Sequence, residues 1–139
     1  MSWYQAFDRR YKYRTTEERT YETGWRLPGG RSVQTEMGYV HLTGDGLLTI
    51  QRGYAWDGAS GPTFDTPSTM MASLVHDALY QLLRERQLPP AWRGKADACL
   101  ERIMLADYKG SWPKWHAFRV ACWGWALKRF AGYAAEPGG

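Results

Sequence analysis

His76 and Asp77 stand side by side in this 139-residue chain, Tyr80 follows one helical turn after the histidine, and a further carboxylate, Asp97, comes later. Were Asp97 to accept a hydrogen bond from one imidazole nitrogen of His76, the other nitrogen would be held as an acceptor, ready to take a proton from water. Asp77 lies about 100° around a helix from His76 and could hold a hard cation together with backbone carbonyls. The stretch 53–67 just upstream suits that role. Its glycines, Gly58 and Gly61 among them, let carbonyls approach an ion closely, and Asp57 adds a carboxylate. A cation there would stabilise the oxyanion formed when water attacks an ester carbonyl, which is metal-assisted hydrolysis with no covalent intermediate. The plainer reading of the same residues is the polar face of a surface helix behind a Gly-rich connector. The glycine pattern fits neither the phosphate loop that ends in Gly-Lys-Ser/Thr nor the dinucleotide fingerprint, so nucleotide binding is set aside.

Positioning these groups falls to the helices. Thr66 can cap a helix that Pro67 opens, at the position where a missing N–H costs nothing. Met71, Leu74, Val75, Ala78, Leu79 and Leu82 then recur at three- and four-residue spacing as one apolar stripe, with Ser73, His76, Asp77 and Tyr80 on the opposite side. The helix is expected to end near Arg86, and Leu88, Pro89 and Pro90 make a turn into a second helix over 91–108. Its stripe is Trp92, Ala96, Cys99, Leu100 and Ile103. So short a connection favours antiparallel packing, which brings His76 and Asp97 to comparable height. A third helix is expected over 113–133 behind a Ser111 cap. Trp115, Phe118, Cys122, Trp125, Ala126 and Tyr133 share a face that packs on the domain, while Lys114, Lys128 and Arg129 lie largely outside it.

The first half reads as β structure. Runs at 21–26 and 32–40 are bounded by Leu27-Pro28-Gly29-Gly30 and by Gly44-Asp45-Gly46, and the second of these punctuates a hairpin between 40–42 and 47–50. His41, near that hairpin, reads as an ordinary strand residue. Residues 1–14 mix Trp3, Tyr4, Phe7, Tyr11 and Tyr13 with Arg9, Arg10, Lys12 and Arg14. A short arm or first strand with one aromatic face explains them better than a nucleic-acid site does.

With 44% hydrophobic and 23% charged residues, the length suits one domain with a real core. Neither a secretory signal nor an apolar run near membrane-spanning length is present, so the chain is expected to be soluble where it is made. Cys99 and Cys122 sit at apolar helix positions and read as buried free thiols. The net charge of +4 comes from scattered Lys and Arg, which is a weak pointer to a phosphate-bearing partner. Eight Trp and nine Tyr suit a heavy core, a stacking platform or a lipid-facing belt alike.

His-Asp-Ala-Leu-Tyr at 76–80 resembles the His-Asp-x-x-Tyr helix of phospholipase A2 enzymes. The run Leu-Leu-Arg-Glu-Arg-Gln-Leu-Pro-Pro at 82–90, followed by Lys95, Ala96 and Asp97, is similar in order and spacing to the viral capsid-borne branch of that family. The resemblance, over about 53–105, implies His76 as general base, Asp77 as calcium ligand, and Tyr80 and Asp97 as the residues that orient the dyad. It also implies 53–61, with Asp57, Gly58 and Gly61, as a calcium loop. The chain departs from the family by carrying Trp56-Asp57 where a closely spaced Tyr-x-Gly-x-Gly is usual, and by its N-terminal β region. Across most of its length the chain more closely resembles a domain family of unknown function encoded by tailed phages and prophages. The matching motifs are Gly-Tyr-Ala-Trp-Asp-Gly-Ala-Ser-Gly-Pro at 53–62 and Ser-Leu-Val-His-Asp-Ala-Leu-Tyr at 73–80. That second resemblance implies a phage origin and no particular activity.

The expected architecture is a single α+β domain over 1–139. It has a small antiparallel sheet in a β-rich part at 1–52, a Gly-rich loop at 53–67, and three helices in a helical part at 68–135. The expected function is a phage-encoded, Ca2+-dependent, phospholipase A2-like hydrolase using a His-Asp dyad at a phospholipid or membrane surface. The alternative is a non-catalytic phage protein that acts by binding, as a virion or tail component or as an inhibitor of a host defence protein. Synthesis in the host cytoplasm, with or without later virion association, suits both, and nucleic acid is the less favoured partner.

Overall fold

The computed structural model describes residues 3–6, 13–56 and 67–108. Its strands are β1 (Tyr4–Ala6), β2 (Tyr13–Thr15), β3 (Arg19–Glu22), β4 (Val33–Gln34), β5 (Val40–Leu42), β6 (Leu47–Ile50) and β7 (Ala55–Trp56), and its helices are α1 (Pro67–Arg84) and α2 (Arg93–Tyr108). Contacts divide the chain into two compact units, Met1–Asp57 with Asp77–Pro89, and Gly58–His76 with Pro90–Gly139. Helix α1 thus supplies its first part, through His76, to the second unit and its remainder to the first.

In the first unit the Gly44-Asp45-Gly46 turn closes the β5–β6 hairpin, with the Gly46 N–H donating to the Thr43 carbonyl at 3.0 Å and the Thr43 N–H to the Leu47 carbonyl at 2.9 Å. Gly46 has φ 103°, and a Cβ there would lie 2.5 Å from the Trp25 carbonyl oxygen, so the position excludes a side chain. The four strands order as β3-β6-β5-β4, all antiparallel. Val40, Leu42, Leu48 and Ile50 alternate onto one fully buried face, while His41, Leu47 and Thr49 are half-buried on the other.

The expectation of one small sheet followed by three helices is corrected in two places. First, the strands form two sheets, because β1, β2 and β7 pair as a second, three-stranded antiparallel sheet. The glycine punctuation of 53–67 predicts a loop that includes residues 53–56. Thr15 overrides it: its N–H donates to the Tyr54 carbonyl at 2.9 Å, and its hydroxyl accepts from the Tyr54 N–H at 3.0 Å. Trp56 then stacks on Trp3 at 5.8 Å between centroids, with Tyr4 and Tyr13 packed edgewise or tilted around it. Second, the described residues hold two α-helices rather than three. The stretch 113–133, read as the third, lies outside them, as do Cys122 and the Thr66 cap.

The described part of α1 begins at Pro67. The helix ends on Arg86 at φ 61°, with the Arg86 N–H donating to the Leu83 carbonyl at 3.0 Å and the Gln87 N–H to Leu82 at 2.9 Å. This is a Schellman ending in which arginine takes the left-handed position that glycine usually fills. The polar side expected for α1 is also corrected: Ser73, His76, Asp77 and Tyr80 are buried along with Leu74, Val75, Ala78 and Leu79. A helix buried all round has no solvent face to spare. Helix α2 follows a 3-10 turn, Pro90–Trp92. It buries Ala96, Cys99 and Leu100 and exposes Gly94, Lys95, Ala98 and Arg102. No helix among the described residues is long and apolar enough to cross a membrane.

Candidate active site

His76 sits on the last α1 residue of the second unit and Asp97 on the second turn of α2, in the same unit. Their side chains meet, His76 Nε2 lying 2.7 Å from Asp97 Oδ1. The imidazole is fully buried, its Nδ1 included, whereas the aspartate side chain keeps 21% of its surface open. Solvent therefore reaches this pair from the carboxylate side. With the Nε2 proton donated to Asp97, Nδ1 is the acceptor nitrogen. When both nitrogens carry protons the contact becomes an ion pair. Short contact and shared burial make the hydrogen bond stronger than it would be in water.

The other expected site residues are placed less tightly. Asp77, 9% exposed, and Tyr80, 2% exposed, follow on α1 and belong to the first unit. Both are interior residues of that helix. Asp57, Gly58 and Gly61 lie outside the described residues. Calcium takes about six to eight oxygen ligands. Among the described residues no group of three or more His, Cys, Asp or Glu side chains gathers to hold an ion, and Asp77 is the one described member of the expected set. The described donors do not make up a calcium site.

Ser73, expected on the same side of α1 as His76, is fully buried one turn before it and donates its hydroxyl to the Met70 carbonyl at 3.0 Å. Sequence reasoning missed one polar feature. In the first unit a relay runs from the Tyr54 hydroxyl to Gln81 Oε1 at 2.9 Å and from Gln81 Nε2 to Glu85 Oε2 at 2.9 Å. It ends with the Glu36 N–H donating to Glu85 Oε1 at 2.7 Å. The four-residue spacing of Gln81 and Glu85 on α1 was the available signal. Their partners on the β side come from far along the chain, which no local pattern reveals.

Comparison of the chain with protein-family models, with curated proteins and with solved structures returns no match.

Proposed function

We propose that this chain is a phage-encoded ester hydrolase of the phospholipase A2 type, with His76 as general base and Asp97 as the residue that orients it. What supports the reading is the 2.7 Å contact between His76 Nε2 and Asp97 Oδ1. Asp97 holds the Nε2 proton, which leaves Nδ1 to take one from water. As that proton moves to Nδ1, the water oxygen adds to the ester carbonyl, and the carboxylate stabilises the imidazolium that forms. The tetrahedral adduct then collapses, the proton passes to the departing alkoxide, and a fatty acid and a lysophospholipid leave. Because Nδ1 is buried, the elements around it must open for water and ester to enter.

The test is fatty-acid release from mixed phospholipid vesicles by the purified protein, with calcium first, then other divalent ions, then a chelator. Wild type is expected to turn over, and His76→Ala to lose about 10³-fold or more in rate while keeping its circular dichroism spectrum. A wild-type protein that is inert under every ionic condition overturns the reading.

Full burial of His76 favours a second reading, a non-catalytic phage protein that acts by binding, as a virion or tail component or as an inhibitor of a host defence protein. There the His76–Asp97 pair is a brace between helices, and His76→Ala lowers the melting temperature with no activity to lose.

A further inference from the structure

Among the described residues strand β4 is an edge of its sheet, since the strand order ends on it and it pairs with β5 alone. The Thr35 N–H donates to the Val40 carbonyl at 3.0 Å. In an antiparallel ladder successive residues alternate in direction, so Gln34 and Glu36 turn their main-chain groups away from β5. Glu36 bears this out, because its N–H points to Glu85 Oε1 at 2.7 Å. That carboxylate oxygen stands where the carbonyl of a neighbouring strand would stand. Beside it lies an open hollow of about 570 Å³ lined by Gln34, Thr35, Glu36, Glu85 and Gln87.

We propose that the groove between β4 and the end of α1 docks an extended, lysine- or arginine-bearing segment of a partner protein as a fifth strand. Main-chain pairing supplies the attachment: the partner's carbonyl accepts from the Gln34 N–H and its N–H donates to the Gln34 carbonyl. Side-chain chemistry selects the partner. Neither Lys nor Arg lines the hollow, although Arg84 and Arg86 flank Glu85 in sequence, and the chain as a whole carries +4. Glu36 is exposed and its carboxylate makes no ion pair among the described residues, so it is available to a cation. Met37, 76% exposed at the tip of the β4–β5 turn, adds an apolar contact next to it. Glu85, already holding two donors, ends the pairing after Gln34 and keeps the docked segment short. This surface lies wholly in the first unit and is independent of the hydrolase reading.

The test is a nuclear magnetic resonance titration of the isotope-labelled full chain with the acetylated, amidated peptide Lys-Val-Lys-Val-Lys-Val. Saturable shifts are expected at the amides of Gln34, Glu36, Met37 and Glu85. The same peptide N-methylated at alternate residues should bind about tenfold more weakly, because it cannot pair as a strand. Glu36→Gln should weaken binding about threefold through the lost charge. Gln34→Pro removes the outward N–H, which no strand among the described residues uses, so it should abolish binding without altering the melt. Three results would overturn the proposal: no saturable shift at β4 up to about 1 mM peptide, equal affinity for the N-methylated form, or equal affinity for Glu-Val-Glu-Val-Glu-Val. Should Gln34→Pro fail to fold, the peptide arms and Glu36→Gln still decide it.

Discussion

In the β part the buried polar side chains among the described residues are threonines, and each bonds to main chain. Thr15 donates to the Gln51 carbonyl at 2.9 Å, Thr23 donates to the Gly46 carbonyl at 2.7 Å and accepts from the Trp25 N–H at 3.1 Å, and Thr35 accepts from the Val40 N–H at 3.2 Å. At the helices the buried polar side chains are Ser73, His76 and Asp77, and there His76 reaches a side chain, Asp97. A hydroxyl bonded to nearby main chain brings no charge inside and replaces ladder bonds where strands bend or part. Pairing a buried histidine with an aspartate from another helix desolvates the ring fully and the carboxylate in part, and such a pair returns little net stability for that cost. Groups of this kind collect where chemistry or register requires them, which sets the helical pair apart from the threonines as the place to look for function.

The contrast breaks if the two kinds of group respond alike to substitution. Asp97→Asn gives the largest expected effect. An amide can offer its NH₂ to Nε2 and so shift the imidazole proton to Nδ1, which should cut fatty-acid release by about 10²–10⁴-fold. Its melting temperature should fall far less than that loss suggests, and an equally large loss of fold would make the pair a brace alone. Thr23→Val, by comparison, leaves the Trp25 N–H and Gly46 carbonyl without their hydroxyl partner. It should cost about 1–3 kcal/mol in a denaturant melt and leave turnover per folded molecule unchanged.

The smallest effect belongs to the exposed hairpin turn. The Thr43 hydroxyl, then a backbone hydrogen bond, and lastly the charge of Arg26 hold the Asp45 carboxyl below its ordinary value of 3.8. A carboxyl lowered on folding stabilises the fold above its unfolded pKa and loses that contribution as pH falls through the folded value. Wild type should therefore melt slightly above Asp45→Asn at neutral pH, and the gap should close below about pH 4. A gap that persists in acid would show that Asp45 acts there without its charge.

What could be read from residues alone followed from how local each signal was. The Gly44-Asp45-Gly46 hairpin and the apolar stripe of α2 are written within a few neighbouring positions. The pairing of His76 with Asp97 needed one longer step, across a turn marked by Pro89 and Pro90. Strand β7 was missed because its pairing is fixed by Thr15, whose hydroxyl bonds the Tyr54 N–H across 39 positions of sequence. The burial of α1 on its polar side was missed for a related reason. A helical periodicity marks the apolar face, whereas Ser73 and His76 are buried on the other by contacts that no local pattern reveals. The metal ligands expected at Asp57, Gly58 and Gly61 fall outside the described residues, so that part of the expected site rests on residue types.

The joint between His76 and Asp97 also works as a vernier. Sliding α2 along its own axis by a single residue would displace Asp97 by about 1.5 Å, enough to part a contact of 2.7 Å. Neighbouring positions offer no substitute, because Ala96 and Ala98 cannot accept that proton. The pair thus ties the axial setting of the second helix to the position of His76.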